Sequence, residues 1–251
     1  MDTLYIVVPC YNEEEVLPLS APILLGKLSD LICAGKVSAQ SRVLFVNDGS
    51  TDRTWELIEK LHAENRCVDG VCLTRNRGHQ NAVMAGLVTA IRWADITVTI
   101  DADLQDDIDA IDEMVEKAHA GAQVVCGVRS SRESDSVLKR ATAQGYYKLM
   151  NIFGAKLIYN HADYRLLSRE AVERLCRFGT EDLFLRGLIT RLGYTPDTVS
   201  YVRSPRMAGE SKYTLRKMLH LAMRGTQSGR MRPAEAPVIG ELYIGEVLHD
   251  D

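Results

Sequence analysis

Five short runs rich in β-branched residues, each separated from the next by a longer amphipathic segment, constrain this 251-residue chain more than any other feature. Leu4 to Val8, Arg42 to Val46, Val68 to Leu73, Ile96 to Ile100 and Gln123 to Gly127 are apolar at most successive positions, which predicts strands buried on both faces of a sheet. Thr51 to Glu64, Gln80 to Trp93 and Asp107 to Ala120 predict the helices between them. In the first of these Trp55, Leu57, Ile58 and Leu61 share a face, and Asp52 stands near its start, where a carboxylate meets the positive end of the helix dipole. The alternation predicts an α/β fold with a mostly parallel sheet flanked by helices. Right-handed crossovers then gather the carboxyl ends of the strands on one edge, where ligands of open α/β sheets bind.

Composition narrows the classes. With 46% apolar and 25% charged residues the chain can bury a core, so disorder is excluded as its main state. Thirty basic against thirty-four acidic residues leave a net charge of -4, so no sequence-wide basic field attracts a nucleic acid, and none is expected as a partner. Charge-poor apolar stretches such as Ala82 to Ile91 fall short of the roughly 20 residues needed to span a bilayer. Asp2 and Pro9 replace the basic-then-apolar order of an export signal, which predicts a cytoplasmic protein. Six cysteines lack zinc-site spacing, so neither a disulfide framework nor a structural zinc is expected.

Beyond Arg129 the pattern changes. Ser130 to Lys139 reads as a polar loop. Val137 to Ile158 reads as a helix crowded with Tyr146, Tyr147, Leu149, Met150, Ile152 and Phe153, a core or dimer contact, with membrane contact the second reading. Ala171 to Cys176 and Asp182 to Leu192 predict helices, and Thr198 to Arg203 a strand. In Thr214 to Arg224 the basic Arg216, Lys217 and Arg224 lie beside Leu215, Met218, Leu219 and Leu221. That helix either touches anionic lipid peripherally or packs on the domain with a solvated basic face. Residues 1–224 form the expected domain, and 225–251, rich in Gly, Pro and acidic residues, a polar tail.

Polar clusters recur directly after the predicted strands: Pro9 to Glu15, Asn47 to Asp52, and Asp101-Ala102-Asp103-Leu104-Gln105-Asp106. Three acidic clusters on one sheet edge repel one another unless a cation or a hydrogen-bonding ligand fills the space between. An Asp-x-Asp alone commonly caps a helix or solvates a turn. Placed after a buried strand and beside two other acidic strand ends, Asp101 and Asp103 with Gln105 offer hard oxygen ligands suited to Mg²⁺ or Mn²⁺ on a diphosphate. Asn47-Asp48-Gly49-Ser50 also reads as a turn leading to a helix cap at Ser50 or Thr51, with Asp48 placed to accept from a nucleobase or ribose. Arg75-Asn76-Arg77-Gly78-His79-Gln80 opens a helix and suits an anionic ligand. His79 reads as a cap or surface residue there.

At these residues a family likeness emerges. Val7-Val8-Pro9-Cys10-Tyr11-Asn12-Glu13-Glu14, Val46 to Asp52, Arg75 to Gln80 and Asp101 to Asp106 resemble, in order and spacing, the glycosyltransferase family 2 pattern. Within it the chain is most similar to polyprenyl-phosphate sugar synthases, the dolichol-phosphate mannose synthase and bactoprenol glucosyltransferase type. Asp163 to Arg169 and Arg206-Met207-Ala208-Gly209-Glu210-Ser211-Lys212-Tyr213 add to the likeness. It covers about residues 4 to 224.

The resemblance implies a GT-A (Rossmann-like) fold and inverting transfer of a hexose from a UDP- or GDP-sugar, with Mg²⁺ or Mn²⁺. It places Pro9, Tyr11, Glu13 and Asp48 around base and ribose, with Asp101, Ala102 and Asp103 completing the nucleotide-sugar site. Asp101, Asp103 and Gln105 would hold the metal, and Arg129, Arg206 and Lys212 phosphate groups, with Ser211 ordering their loop. Asp163 would be the general base, and Asp103 the other catalytic carboxylate. A polyprenyl phosphate at the cytoplasmic membrane face is the first expected acceptor, a soluble glycan or glycosylated protein the second; a silent nucleotide-sugar-binding module is a third reading, and a homo-oligomer is compatible with each. Two departures stand out: Asn160 occupies a position where many bactoprenol-type relatives carry aspartate, and Gly225 to Asp251 is too polar and Pro-interrupted to supply the two membrane helices usual after the Lys-Tyr loop.

Overall fold

The computed structural model describes residues 1–130, 161–178, 185–204 and 244–250. The runs read as Ser130–Lys139, Val137–Ile158 and Thr214–Arg224 therefore lie wholly or almost wholly outside the described residues.

Among the described residues one eight-stranded sheet forms the centre. Its strands are β1 (Leu4–Cys10), β2 (Arg42–Asn47), β3 (Val68–Leu73), β4 (Ile96–Thr99), β5 (Val124–Arg129), β6 (His161–Ser168), β7 (Asp197–Tyr201) and β8 (Ile244–Leu248), in the spatial order β7-β5-β6-β4-β1-β2-β3-β8. Neighbours β4, β1, β2 and β3 pair in parallel, as do β5 and β7; β6 runs antiparallel between β4 and β5, and β8 antiparallel along β3. The expected mostly parallel α/β sheet is thus present.

Successive residues of a strand point to opposite faces. In β1, Leu4, Ile6, Val8 and Cys10 enter one core, and Tyr5 and Val7 the other. Helices cover both faces, which is why the central strands are apolar at most positions. The helices are α1 (Leu17–Cys33), α2 (Thr54–Glu64), α3 (His79–Ala90), α4 (Ala110–His119), α5 (Arg169–Cys176) and α6 (Leu185–Ile189). The first core holds α1, α2 and α4; the second holds α3, α5 and α6.

Helix α1 departs from the sequence reading. Pro18 stands in its first turn, where a missing N–H costs nothing, but Pro22 lies inside it. An interior proline disfavours a helix by about 3 kcal/mol; burial of Leu17, Leu24, Leu28 and Leu31, at roughly 1.5–3 kcal/mol each, outweighs that. Strand β6 was not expected either. Nor was β8, which falls inside the stretch read as a polar tail; there the His249 ring stacks on Trp93 with centroids 3.7 Å apart and its Nδ1 lies 2.8 Å from the buried Asp69.

Helix α3 lies deepest, buried at every position from Ala82 to Ala90. Its Gly86 permits that approach: a Cβ there would lie 2.4 Å from Val7 Cγ1 and 2.7 Å from Val46 Cγ2. Gly86→Val is expected to lower stability by about 1–3 kcal/mol through overpacking, measured as a lower midpoint in urea unfolding with an unchanged slope.

Candidate active site

The carboxyl ends of β1, β2, β4, β5 and β7 share one edge of the sheet, and β6, running the other way, begins at it. Here the polar clusters meet. The loop after β1 is latched to the loop after β2: Asn12 N–H donates to Ser50 Oγ and Thr51 N–H to Asn12 Oδ1, both at 2.9 Å, while Glu13 N–H donates to Thr54 Oγ1 at 2.9 Å. Asn12 adopts a left-handed φ of 52° to make this exchange. Ser50 and Thr51 are thereby spent on Asn12 instead of capping α2. Asp52 accepts the Thr54 N–H at 3.0 Å in their place, because α2 begins at Thr54, later than the sequence suggests.

Asp48 is buried, and its two oxygens accept the Arg77 and Gly78 N–H groups at 2.6 and 2.9 Å. Burial pushes its carboxyl up while those two donors pull it down, and burial prevails. The residue expected beside base and ribose thus also pins the Arg75–Gly78 loop that leads into α3. Gly49, at φ 60°, lets the loops touch, since a Cβ there would lie 2.4 Å from the Arg75 carbonyl carbon. Pro9, Tyr11 and Glu13 are half-buried on the same rim. Ala102 is buried with its side chain in the first core, so only its backbone faces the rim.

Beyond β4 the carboxylates crowd together. Burial raises the Asp101 carboxyl; the His79 ring lowers it, and Asp163, Asp106 and Asp103 raise it further by repulsion. His79 Nε2 lies 3.8 Å from Asp101 Oδ1 and 3.8 Å from Asp163 Oδ2. This histidine, read as a cap or surface residue, therefore stands between the two carboxylates, a placement set by β6 and invisible in the local sequence. Gln105, expected among the metal ligands, turns its amide oxygen to Arg203 Nη2. Arg129, expected to meet phosphate, holds the buried Asp106 through Nη2 at 3.2 Å and reaches Tyr201 Oη through Nε at 3.3 Å. Arg206, Ser211 and Lys212 lie outside the described residues.

Asp163, the expected base, is gripped from two sides. Arg186 Nε donates to Oδ1 at 3.2 Å and Nη2 to Oδ2 at 3.0 Å, and Arg165 Nη2 also donates to Oδ1. Burial alone would raise this carboxyl, but the guanidiniums of Arg186 and Arg165, with His79, hold it well below the usual carboxylate range.

Among the described residues no set of three or more His, Cys, Asp or Glu is placed to hold a metal ion alone. Asp101 and Asp103 nonetheless fit a hard divalent cation that shares its coordination with substrate phosphates. The surplus negative charge around Asp101 is what such a cation relieves.

Comparisons with known proteins identify the family and the fold. Residues 5–176 match the model of glycosyl transferase family 2. The uncharacterized glycosyltransferase YkoT of Bacillus subtilis is 46% identical over 92% of this chain and 68% of its own length. The prophage bactoprenol glucosyl transferase homolog of Escherichia coli is 38% identical over 97% of this chain and 76% of its own. Glucosyl-3-phosphoglycerate synthase from Mycobacterium tuberculosis, solved with Mn²⁺, UDP and glucosyl-3-phosphoglycerate, superposes with a TM-score of 0.59 at 18% identity, covering 90% of this chain and 78% of that one.

The Asp163 cluster makes stability pH-dependent. A depressed carboxyl contributes stability above its unfolded value of about 3.9, and that contribution is lost as pH falls through the folded value. Acid titration followed by circular dichroism is expected to show this limb, and Asp163→Asn to lower stability at neutral pH while flattening it.

Proposed function

The chain belongs to glycosyltransferase family 2 and has the GT-A fold, and on that premise we propose that it moves a hexose, with inversion, from a UDP- or GDP-sugar to a polyprenyl phosphate at the cytoplasmic membrane face. The observation that carries the donor half is the Asp101 carboxylate, crowded by Asp103, Asp106 and Asp163 at the sheet edge. The bactoprenol glucosyl transferases, 38% identical over most of this chain, support the acceptor half and make glucose the first sugar to test.

Asp101 and Asp103 would hold Mg²⁺ or Mn²⁺ on the donor diphosphate. Bound there, the ion would neutralise charge developing on the departing nucleoside diphosphate. Asp48 and the Pro9–Glu13 rim are suited to the nucleoside, because Asp48 sets the backbone of the loop beside it. Arg129 and Arg203 are prealigned through Asp106, Gln105 and Tyr201, so they meet developing negative charge without reorganising. A phosphate acceptor whose second pKa is about 6 already carries its nucleophilic anion at neutral pH, so attack needs no proton transfer to the protein. Arg206, Ser211 and Lys212 would add phosphate contacts. Among the described residues no helix is long and apolar enough to cross a membrane.

The test is transfer from radiolabelled UDP-glucose and GDP-mannose to undecaprenyl phosphate with Mn²⁺. Label is expected in the organic phase, to vanish on chelation, and to fall about 10²- to 10³-fold in Asp103→Ala, the loss typical of removing one electrostatic stabiliser. Label confined to a water-soluble glycan would contradict the acceptor, and transfer indifferent to both chelation and Asp103→Ala would contradict the site.

A further inference from the structure

Asp163 has both oxygens committed. Arg186 spans them with Nε and Nη2, Arg165 adds a third donor, and His79 stands 3.8 Å away. A general base must take a proton in the transition state, and a carboxylate wrapped by two guanidiniums is arranged for the opposite. Arg165 is 1% exposed, and its Nε and Nη1 have no hydrogen-bond partner among the described residues, so Asp163 is its sole acceptor there. Arg186 differs: its side chain is 37% exposed.

The two basic groups lie on opposite faces of the sheet. Alternation along β6 puts Asp163 and Arg165 on the side of Leu167, in the core shared with α3 and α6, where Leu185, Leu188 and Ile189 flank Arg186. Tyr164 points the other way, into the core that holds Tyr201, and donates to the Asp107 carbonyl at 2.9 Å. The Asp106–Arg129–Tyr201 group lies on that side. Asp101 stands between the two. An inverting displacement needs its nucleophile and its leaving group on opposite sides of the anomeric carbon.

We propose that Asp163 is a positioning residue, which fixes the plane of the Arg186 guanidinium, and that Arg186 receives the acceptor's phosphate opposite the departing diphosphate. This rests on the phosphate acceptor proposed above and names its recognition site. Two-point attachment by Nε and Nη2 sets a planar, always-charged fork that a lysine at the same place would not reproduce.

Steady-state transfer to undecaprenyl phosphate in detergent, with donor and acceptor varied separately, tests it. Arg186→Ala is expected to raise the acceptor KM by about ten- to a hundredfold, the loss of a charge-assisted hydrogen bond, and to change the donor KM far less. Asp163→Asn is expected to move the same constant, Arg186→Lys to recover only part of it, and Asp163→Asn with Arg186→Ala to be no worse than the poorer single variant. A 10²- to 10⁴-fold fall in kcat for Asp163→Asn at constant acceptor KM, with Arg186→Ala at wild-type values, would make Asp163 the base and overturn the proposal. Should Asp163→Asn fail to fold, an acceptor KM unmoved in Arg186→Ala overturns it alone. If the wild type labels only a water-soluble glycan, the phosphate acceptor fails first and this inference with it.

Discussion

Repulsion among carboxylates gathered at one sheet edge is the constraint around which the site is built. Asp48 follows β2, Asp101 and Asp106 share the loop after β4, and Asp163 lies in β6; three of them are held by different devices: two backbone N–H groups for Asp48, the Arg129 guanidinium for Asp106, two arginines for Asp163. Asp101 has the His79 ring at 3.8 Å and three carboxylates raising it. The chain neutralises Asp106 and Asp163 with arginines and leaves the remaining repulsion at Asp101, the aspartate proposed to share a cation with a diphosphate. Burial follows the same division, since Asp163 and Asp106 are more enclosed than Asp101.

Strands β1 to β5 were legible because helices on both faces make a strand apolar at most positions, and such runs stand out against amphipathic segments. Helix α1 was not, because Pro18, Pro22 and Gly26 are local stop signals that only the burial of four leucines overrides. Strand β6 hid for another reason. Asp163 and Arg165 look like solvated residues in sequence, whereas in the fold they form a buried pair between β4 and β5. Strand β8 is short and half-exposed, and its partner β3 lies far away in the chain.

The placement of Asp48, Asp101 and Asp103 at the sheet edge could be read because they closely follow apolar runs, and that position is visible without coordinates. Tertiary pairings could not. The sequence places Gln105 among oxygen ligands without showing that Arg203 meets its amide, and reads His79 as a cap or surface residue without showing that β6 brings Asp163 beside it. Arg186 gave no signal beyond lying on a predicted helix; its meaning comes from a carboxylate 23 residues earlier. Charged residues acquire roles from partners distant in sequence, which periodicity does not encode.

The account stands or falls on a divalent cation shared between Asp101, Asp103 and a donor's diphosphate. Anomalous scattering from crystals grown with MnCl₂ and UDP measures this directly. A manganese peak within direct coordination distance of an Asp101 or Asp103 carboxylate oxygen, and bridged to both UDP phosphates, is the predicted result. UDP bound with no manganese at these aspartates, or manganese bound at another part of the surface, would contradict it.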